Sequence, residues 1–195
     1  IDGRDGTDSL TGGSGNDIYL FDTGDVDSGE SITEAGGGGT DVVAVVTSTD
    51  FVNMPVASFN EIEEIRFAGA SQTGTFTGAQ LTGETLDLAE TAEGTANLTI
   101  NVASGTTVDF TNMTASTFDS GSDIITINAG GTTNVTGPNL ASTYNGSSGG
   151  DTLIGGIAND TIIGIGGDDT IDGGDCADTL TGGNGNDIYL FDTND

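Results

Sequence analysis

The sequence has no histidine and no tryptophan, one cysteine, two prolines and only two basic residues, Arg4 and Arg66, in 195 positions. Each absence removes a class of function. Without histidine there is neither a zinc-protease motif nor a Ser-His-Asp triad. With 31 acidic residues and a formal charge of −29, the chain lacks the cations that phosphate binding requires, so nucleic acid is not an expected partner and an anionic membrane surface is disfavoured. The lone Cys176 excludes an internal disulfide and sits where a repeat unit asks for a small residue. No apolar stretch approaches a membrane span, so no membrane insertion is expected. Ile1 does not open a signal peptide, and the chain reads as a piece of something longer. The acidic run at Glu61, Glu63 and Glu64 has no aromatic platform around it and reads as a solvated strand face rather than glycosidase chemistry. The Gly-rich loops end in Asp and would repel phosphate. No enzyme is expected.

What is abundant is glycine, 34 residues, and it is not scattered. Seven hexads rich in Gly close on an aspartate, and two residues later each is followed by one large apolar residue. At the amino end they close on Asp8 and Asp17, trailed by Leu10 and Tyr19. At the carboxyl end they close on Asp151, Asp160, Asp169, Asp178 and Asp187, trailed by Leu153, Ile162, Ile171, Leu180 and Tyr189. The spacing within each cluster is nine. A nine-residue unit with one obligatory apolar position makes a short strand with one side chain inward, and the glycines let the backbone turn tightly. Two units make an eighteen-residue rung, so Asp151, Asp169 and Asp187 should line one edge and Asp160 and Asp178 the other. Carboxylates stacked ~5 Å apart would repel one another unless a hard cation sat between them.

The two best copies, GGSGNDIYL from Gly12 and GGNGNDIYL from Gly182, resemble the Gly-Gly-x-Gly-x-Asp-x-U-x nonapeptide of RTX (repeats-in-toxin) proteins, a calcium-binding signature. The resemblance implies an all-β fold, a parallel β-roll or β-solenoid, with Ca2+ held between stacked loops. It carries the ligand role to Asp8, Asp17, Asp151, Asp160, Asp169, Asp178 and Asp187. It also carries that role to the glycine backbone at Gly12, Gly13, Gly15, Gly149, Gly155, Gly164, Gly166, Gly173, Gly182, Gly183 and Gly185. The copies depart from the pattern at Arg4, Ser147 and Ile165 in the second position and at Ala158 and Cys176 in the fourth, which puts those loops in doubt.

Residues 1 to 25 also align without a gap to residues 171 to 195, with nineteen identities that run on through YLFDT beyond the nonapeptide itself. The chain thus reads as one 170-residue period of a tandem array plus its overlap. Three parts are expected: 1–23, the end of an RTX roll; 24–145, a Thr-rich β-solenoid centre; and 146–195, an RTX roll. The stretches from Gly24 to Val46 and from Ser58 to Gly69 resemble segments that follow RTX blocks in large secreted bacterial surface proteins. Asp22, Asp25 and Asp27 read either as a cap on the last calcium loop or as a solvated acidic turn.

Beyond Gly69, short Thr-rich runs predict strands at Thr73–Thr77, Thr85–Leu88, Asn97–Val102, Thr107–Phe110, Ile124–Ile127 and Asn134–Val135. Leu86, Leu88, Leu98, Ile100, Val108, Phe110, Ile125 and Ile127 are the expected inward positions, and one helical turn is predicted near Thr77–Leu81. Val135 and Tyr144 fall in the nine-residue rhythm leading to Leu153, so the centre should run straight into the roll. At eighteen to twenty residues per rung, a period would hold about nine rungs and rise ~40–45 Å.

Two functions fit: a calcium-stabilised extracellular structural module of a surface layer, fibre or adhesin stalk, joined end to end with its neighbours, or the folding and secretion tail of a type I exported enzyme. Either places the chain outside the cell or at its surface. The Thr- and Asn-rich outer face is compatible with a cell-surface or glycan target, including a carbohydrate- or ice-binding role. The charge and composition predict a chain largely unfolded without calcium.

Overall fold

A computed structural model of the chain describes all residues except 35–37, 93, 120, 192, 194 and 195. The chain winds as a right-through parallel β-solenoid of about eight turns, and every strand pairing among the described residues is parallel. Three stacks of elements form its sides.

The first side is a seven-stranded sheet of Thr49–Asp50, Thr73–Thr77, Asn97–Ala103, Ile124–Gly130, Ser142–Ser147, Thr161–Gly166 and Thr179–Asn184. The second begins with Ser9–Thr11 and Ser31–Thr33, continues through a 3-10 turn at Val56–Phe59 and a helical turn at Gly78–Leu81, and resumes as Thr107–Asp109, Asn134–Thr136, Thr152–Gly156, Thr170–Gly174 and Ile188–Leu190. The third holds Ile18–Phe21, Val42–Val45, Glu64–Phe67, Asp87–Glu90 and Thr114–Ala115, where it stops. The amino-terminal roll therefore lies on sides two and three, the middle is a three-sided prism, and the carboxyl-terminal roll lies on sides one and two.

Coil length follows this geometry. In the roll the pairings are eighteen residues apart, as in Thr143 with Thr161 and Thr152 with Thr170. In the prism they are longer: Ser9 pairs Ser31, Ile18 pairs Val42, Thr73 pairs Asn97, and Asn97 pairs Ile124. The eighteen-to-twenty-residue rung expected throughout is thus corrected for the centre, because a third side needs its own strand and corners. Between Ser9 and its repeat-mate Thr179 there are between seven and eight turns, not nine, and the rise falls to ~35 Å at ~4.8 Å per strand.

The wider prism needs larger side chains to fill it. Phe21, Phe51, Phe59 and Phe76 meet there, Phe51 stacked on Phe76 at 4.6 Å and edge-on to Phe21 at 5.2 Å. The roll is narrow enough for one file per side, with Val135, Leu153 and Ile171 on one and Tyr144 and Ile162 facing them, all buried. All eight inward positions expected from the sequence are buried. The predicted helical turn forms at Gly78–Leu81 because Thr77 and Gln80 make a capping box: the Thr77 N–H donates to Gln80 Oε1 at 2.7 Å, and Gln80 Nε2 bonds Phe51 O and Met54 O. The Thr85–Leu88 expectation starts two residues early, since the strand is Asp87–Glu90. On the outer face of side one, Thr75, Thr99, Thr126, Thr143, Thr161 and Thr179 lie in register, where a β-branched residue fits an exposed pleat.

Candidate metal centre

Each hexad turns a corner of the solenoid, and three of its positions have physical requirements visible in the backbone. The second and fourth positions sit at positive φ in most loops: Gly13 (104°), Gly174 (84°) and Gly183 (105°) at the second, Gly15 (121°), Gly167 (107°) and Gly185 (140°) at the fourth. Three of the five exceptions named from the sequence adopt the same conformation against their preference, Arg4 at 65°, Ile165 at 78° and Cys176 at 82°, whereas Ser147 and Ala158 stay at negative φ. The first position is glycine for another reason. A Cβ on Gly155 would stand 2.5 Å from Asp160 Oδ2, and on Gly164, Gly173 and Gly182 it would run into Asp169, Asp178 and Asp187. The hexad's own aspartate folds back over its first glycine.

These aspartates form ladders along the axis. The N–H of Thr133 donates to Asp151 Oδ1 at 2.8 Å, that of Asp151 to Asp169 Oδ1 at 2.8 Å, and that of Asp169 to Asp187 Oδ1 at 3.2 Å. On the opposite edge the N–H groups of Ser142 and Asp160 donate to Asp160 and Asp178, each at 2.8 Å. The structure so places Asp151, Asp169 and Asp187 on one edge and Asp160 and Asp178 on the other. The fifth hexad position adds a parallel ladder, with Ala177 N–H on Asn159 Oδ1 and Asn186 N–H on Asp168 Oδ1.

The second carboxylate oxygen is where the ladder is incomplete. Asp151 Oδ2 accepts the N–H of Ser147 at 2.8 Å and Asp160 Oδ2 that of Gly156 at 3.0 Å. Asp169 Oδ2 is buried and accepts no hydrogen bond, although the residue is 1 % exposed. Next to it the space over Gly164 is bounded by Gly182 O at 2.5 Å from the point a Cβ would occupy. A buried anionic oxygen beside a carbonyl oxygen, in a space that only glycine leaves open, suits a hard cation with oxygen ligands. Burial, opposed by hydrogen bonds and reinforced by neighbouring carboxylates, pushes Asp160 up to about 7 and raises Asp169 from the usual carboxylate range.

At the amino-terminal block the same ladder continues into residues that carry no nonapeptide. The N–H of Asp8 donates to Glu30 Oε2, that of Asp17 to Asp41 Oδ1, and that of Asp41 to Glu63 Oε2, each at 2.8 Å. Asp17, Glu34 and Asp41 bring one oxygen each to within 4.8 Å of one another, and Tyr19 Oη donates to Glu34. Above Gly12 the oxygens of Glu34, Tyr19 and Asp17 lie 2.5–2.6 Å from a common point, while Glu34 Oε2 is buried without a partner. Glu30, Glu34 and Asp41 were not expected as part of a site, because the coil here is 22 or 24 residues and breaks the nine-residue rhythm that marks the others. Farther along, Asp25 takes the N–H of Asp22 at 2.6 Å, so the acidic segment after Phe21 folds as a turn.

A parallel solenoid with stacked, oxygen-lined glycine corners is the class that fold and site define. Residues 1–25, 145–175 and 154–189 match the family model of the RTX calcium-binding nonapeptide repeat, in four copies, so these blocks are RTX repeats, and the family is a calcium-binding one. No match to the chain is found among curated proteins or among solved structures.

Proposed function

We propose that the chain is a calcium-stabilised extracellular structural module of a tandem-repeat surface protein, one unit of a surface layer, fibre or adhesin stalk exported by the type I route typical of RTX proteins. The observation that carries this reading is the 25-residue block repeated at an offset of 170. A secretion tail needs one roll, whereas a tandem array needs the roll at both ends of a spacer, which is the arrangement of this sequence. Supporting it, the spacer and the rolls share one solenoid axis, so modules in series would make a continuous rod. The roles of the hexad aspartates and of the glycine carbonyls as Ca2+ ligands belong to the same reading. Calcium would neutralise carboxylates that otherwise repel, in a compartment where its concentration is millimolar and extracellular modules bind at about 10⁻⁴–10⁻³ M.

Electron microscopy of the native material tests the reading. It predicts rods with an axial repeat near ~35 Å or a small multiple, from between seven and eight turns at the strand spacing. Isolated globular particles, or a catalytic domain fused upstream of a single copy, would contradict it.

A further inference from the structure

The two copies of the 25-residue block are alike in sequence and opposite in burial. Tyr19 and Phe21 are 0 % and 1 % exposed, whereas their repeat-mates Tyr189 and Phe191 are 39 % and 71 % exposed. Of eight phenylalanines, Phe191 alone is not buried. With Leu180, Cys176 and Gly173 it lines an open cleft of ≈530 Å³ at the end of the roll. The first copy is covered by the coil that follows it: Ile32 pairs with Leu10, Val43 with Tyr19 and Val45 with Phe21, and Phe51 packs edge-on against Phe21.

We propose that the open carboxyl-terminal end of the roll is the docking surface for residues 26–51 of a second copy of this sequence placed in tandem. The proposal deepens the module reading above and rests on it. The polar groups fit as well as the apolar ones. The carboxylate ladders end at Asp178 and Asp187, the repeat-mates of Asp8 and Asp17, whose N–H groups are taken by Glu30 and Asp41. In the joint, Glu30 and Asp41 of the second copy take the N–H groups of Asp178 and Asp187, and Glu34 takes the Tyr189 hydroxyl. Asp187 then joins that Glu34 and Asp41 in the oxygen group that Asp17 forms here, so a cation site closes across the joint. The joint also sets the rotation between modules. The amino-terminal block lies on sides two and three and its carboxyl-terminal mate on sides one and two, so each module is turned by one face of the prism from the last.

The test is a two-copy chain, residues 1–195 followed by residues 26–195, compared with the single chain by amide hydrogen exchange in millimolar calcium. In the single chain Ile188–Leu190 should exchange fast and Ile18–Phe21 slowly. In the two-copy chain Ile188–Leu190 of the first copy should slow to the rate of Ile18–Phe21. Val45→Asp in the second copy should restore fast exchange there, with Asn97–Ala103 of that copy reporting whether it still folds. Phe191→Ser in the first copy supplies a variant that does not threaten folding, since the side chain is exposed in the single chain. It should leave the single chain's melting temperature unchanged and lower that of the two-copy chain. Fast exchange at Ile188–Leu190 in a two-copy chain whose Asn97–Ala103 segments are both protected overturns the joint. So does an equal effect of Phe191→Ser on both chains. Either result leaves the module reading standing, which fails instead on isolated globular particles or on a catalytic domain upstream of a single copy.

Discussion

Asp169 has carboxylate neighbours both before and after it on its edge, Asp151 and Asp187, and its Oδ2 is buried with no donor. Asp178 sits at the end of the other edge, with only Asp160 behind it. Asp169→Ala should therefore shift the calcium midpoint of folding more than Asp178→Ala; equal shifts in calcium titrations of the two variants would contradict the ladder assignment. The backbone exceptions give a second prediction of opposite sign. Cys176 holds a φ of 82° that fourth-position glycines adopt freely, and an L-residue there costs roughly 1–2 kcal/mol. Cys176→Gly should raise the melting temperature, because the relief exceeds the roughly 0.4–1 kcal/mol by which glycine's greater freedom in the unfolded chain opposes it; an unchanged or lower value would show that the thiol's contact with Ile157 O at 3.2 Å matters more. At this scale the sequence was most legible where one residue does one job nine positions apart. It was silent on Glu30, Glu34 and Asp41, whose carboxylates continue the ladders from coils of unequal length.

Among elements, the strands of the centre were readable because Thr alternates with Leu, Ile or Val, and the helical turn because Thr77 and Gln80 stand at capping-box spacing. The third side was not readable. Nothing local distinguishes Glu64–Phe67 or Asp87–Glu90 as members of an extra sheet; only their registers with Val42–Val45 do. The phenylalanines hinted at a wider core, since seven of eight fall between Phe21 and Phe118 and a one-file roll has no room for them. Carboxylates buried in the ladders give the fold a pH dependence. Asp160 has a folded pKa of about 7, above its unfolded value of 3.8, so its contribution is fully present below about pH 4 and is lost as pH rises through about 7. Asp169 and Glu30 are raised in the same direction. Calcium-free protein should thus show more β signal in far-UV circular dichroism at pH 5 than at pH 8, and millimolar calcium should abolish or reverse that order. More β signal at pH 8 than at pH 5 in calcium-free protein would mean that these carboxylates are not held buried in the folded state.

At the scale of the whole molecule, −29 formal charge is wound into a rod whose corners carry acidic side chains at successive turns. The apolar core runs unbroken from Leu10 to Ile171, so burial favours the folded state along the length of the rod. Opposing it are the repulsion between stacked carboxylates and the entropy of ordering the glycine loops. A divalent cation between loops changes the sign of the first of these, so calcium acts as a part of the fold. Far-UV circular dichroism of the full chain, titrated from chelator to millimolar calcium at neutral pH, tests this most directly. A large gain in β signal with a midpoint at about 10⁻⁴–10⁻³ M is expected. A strong β spectrum that is the same in chelator and in millimolar calcium would contradict it.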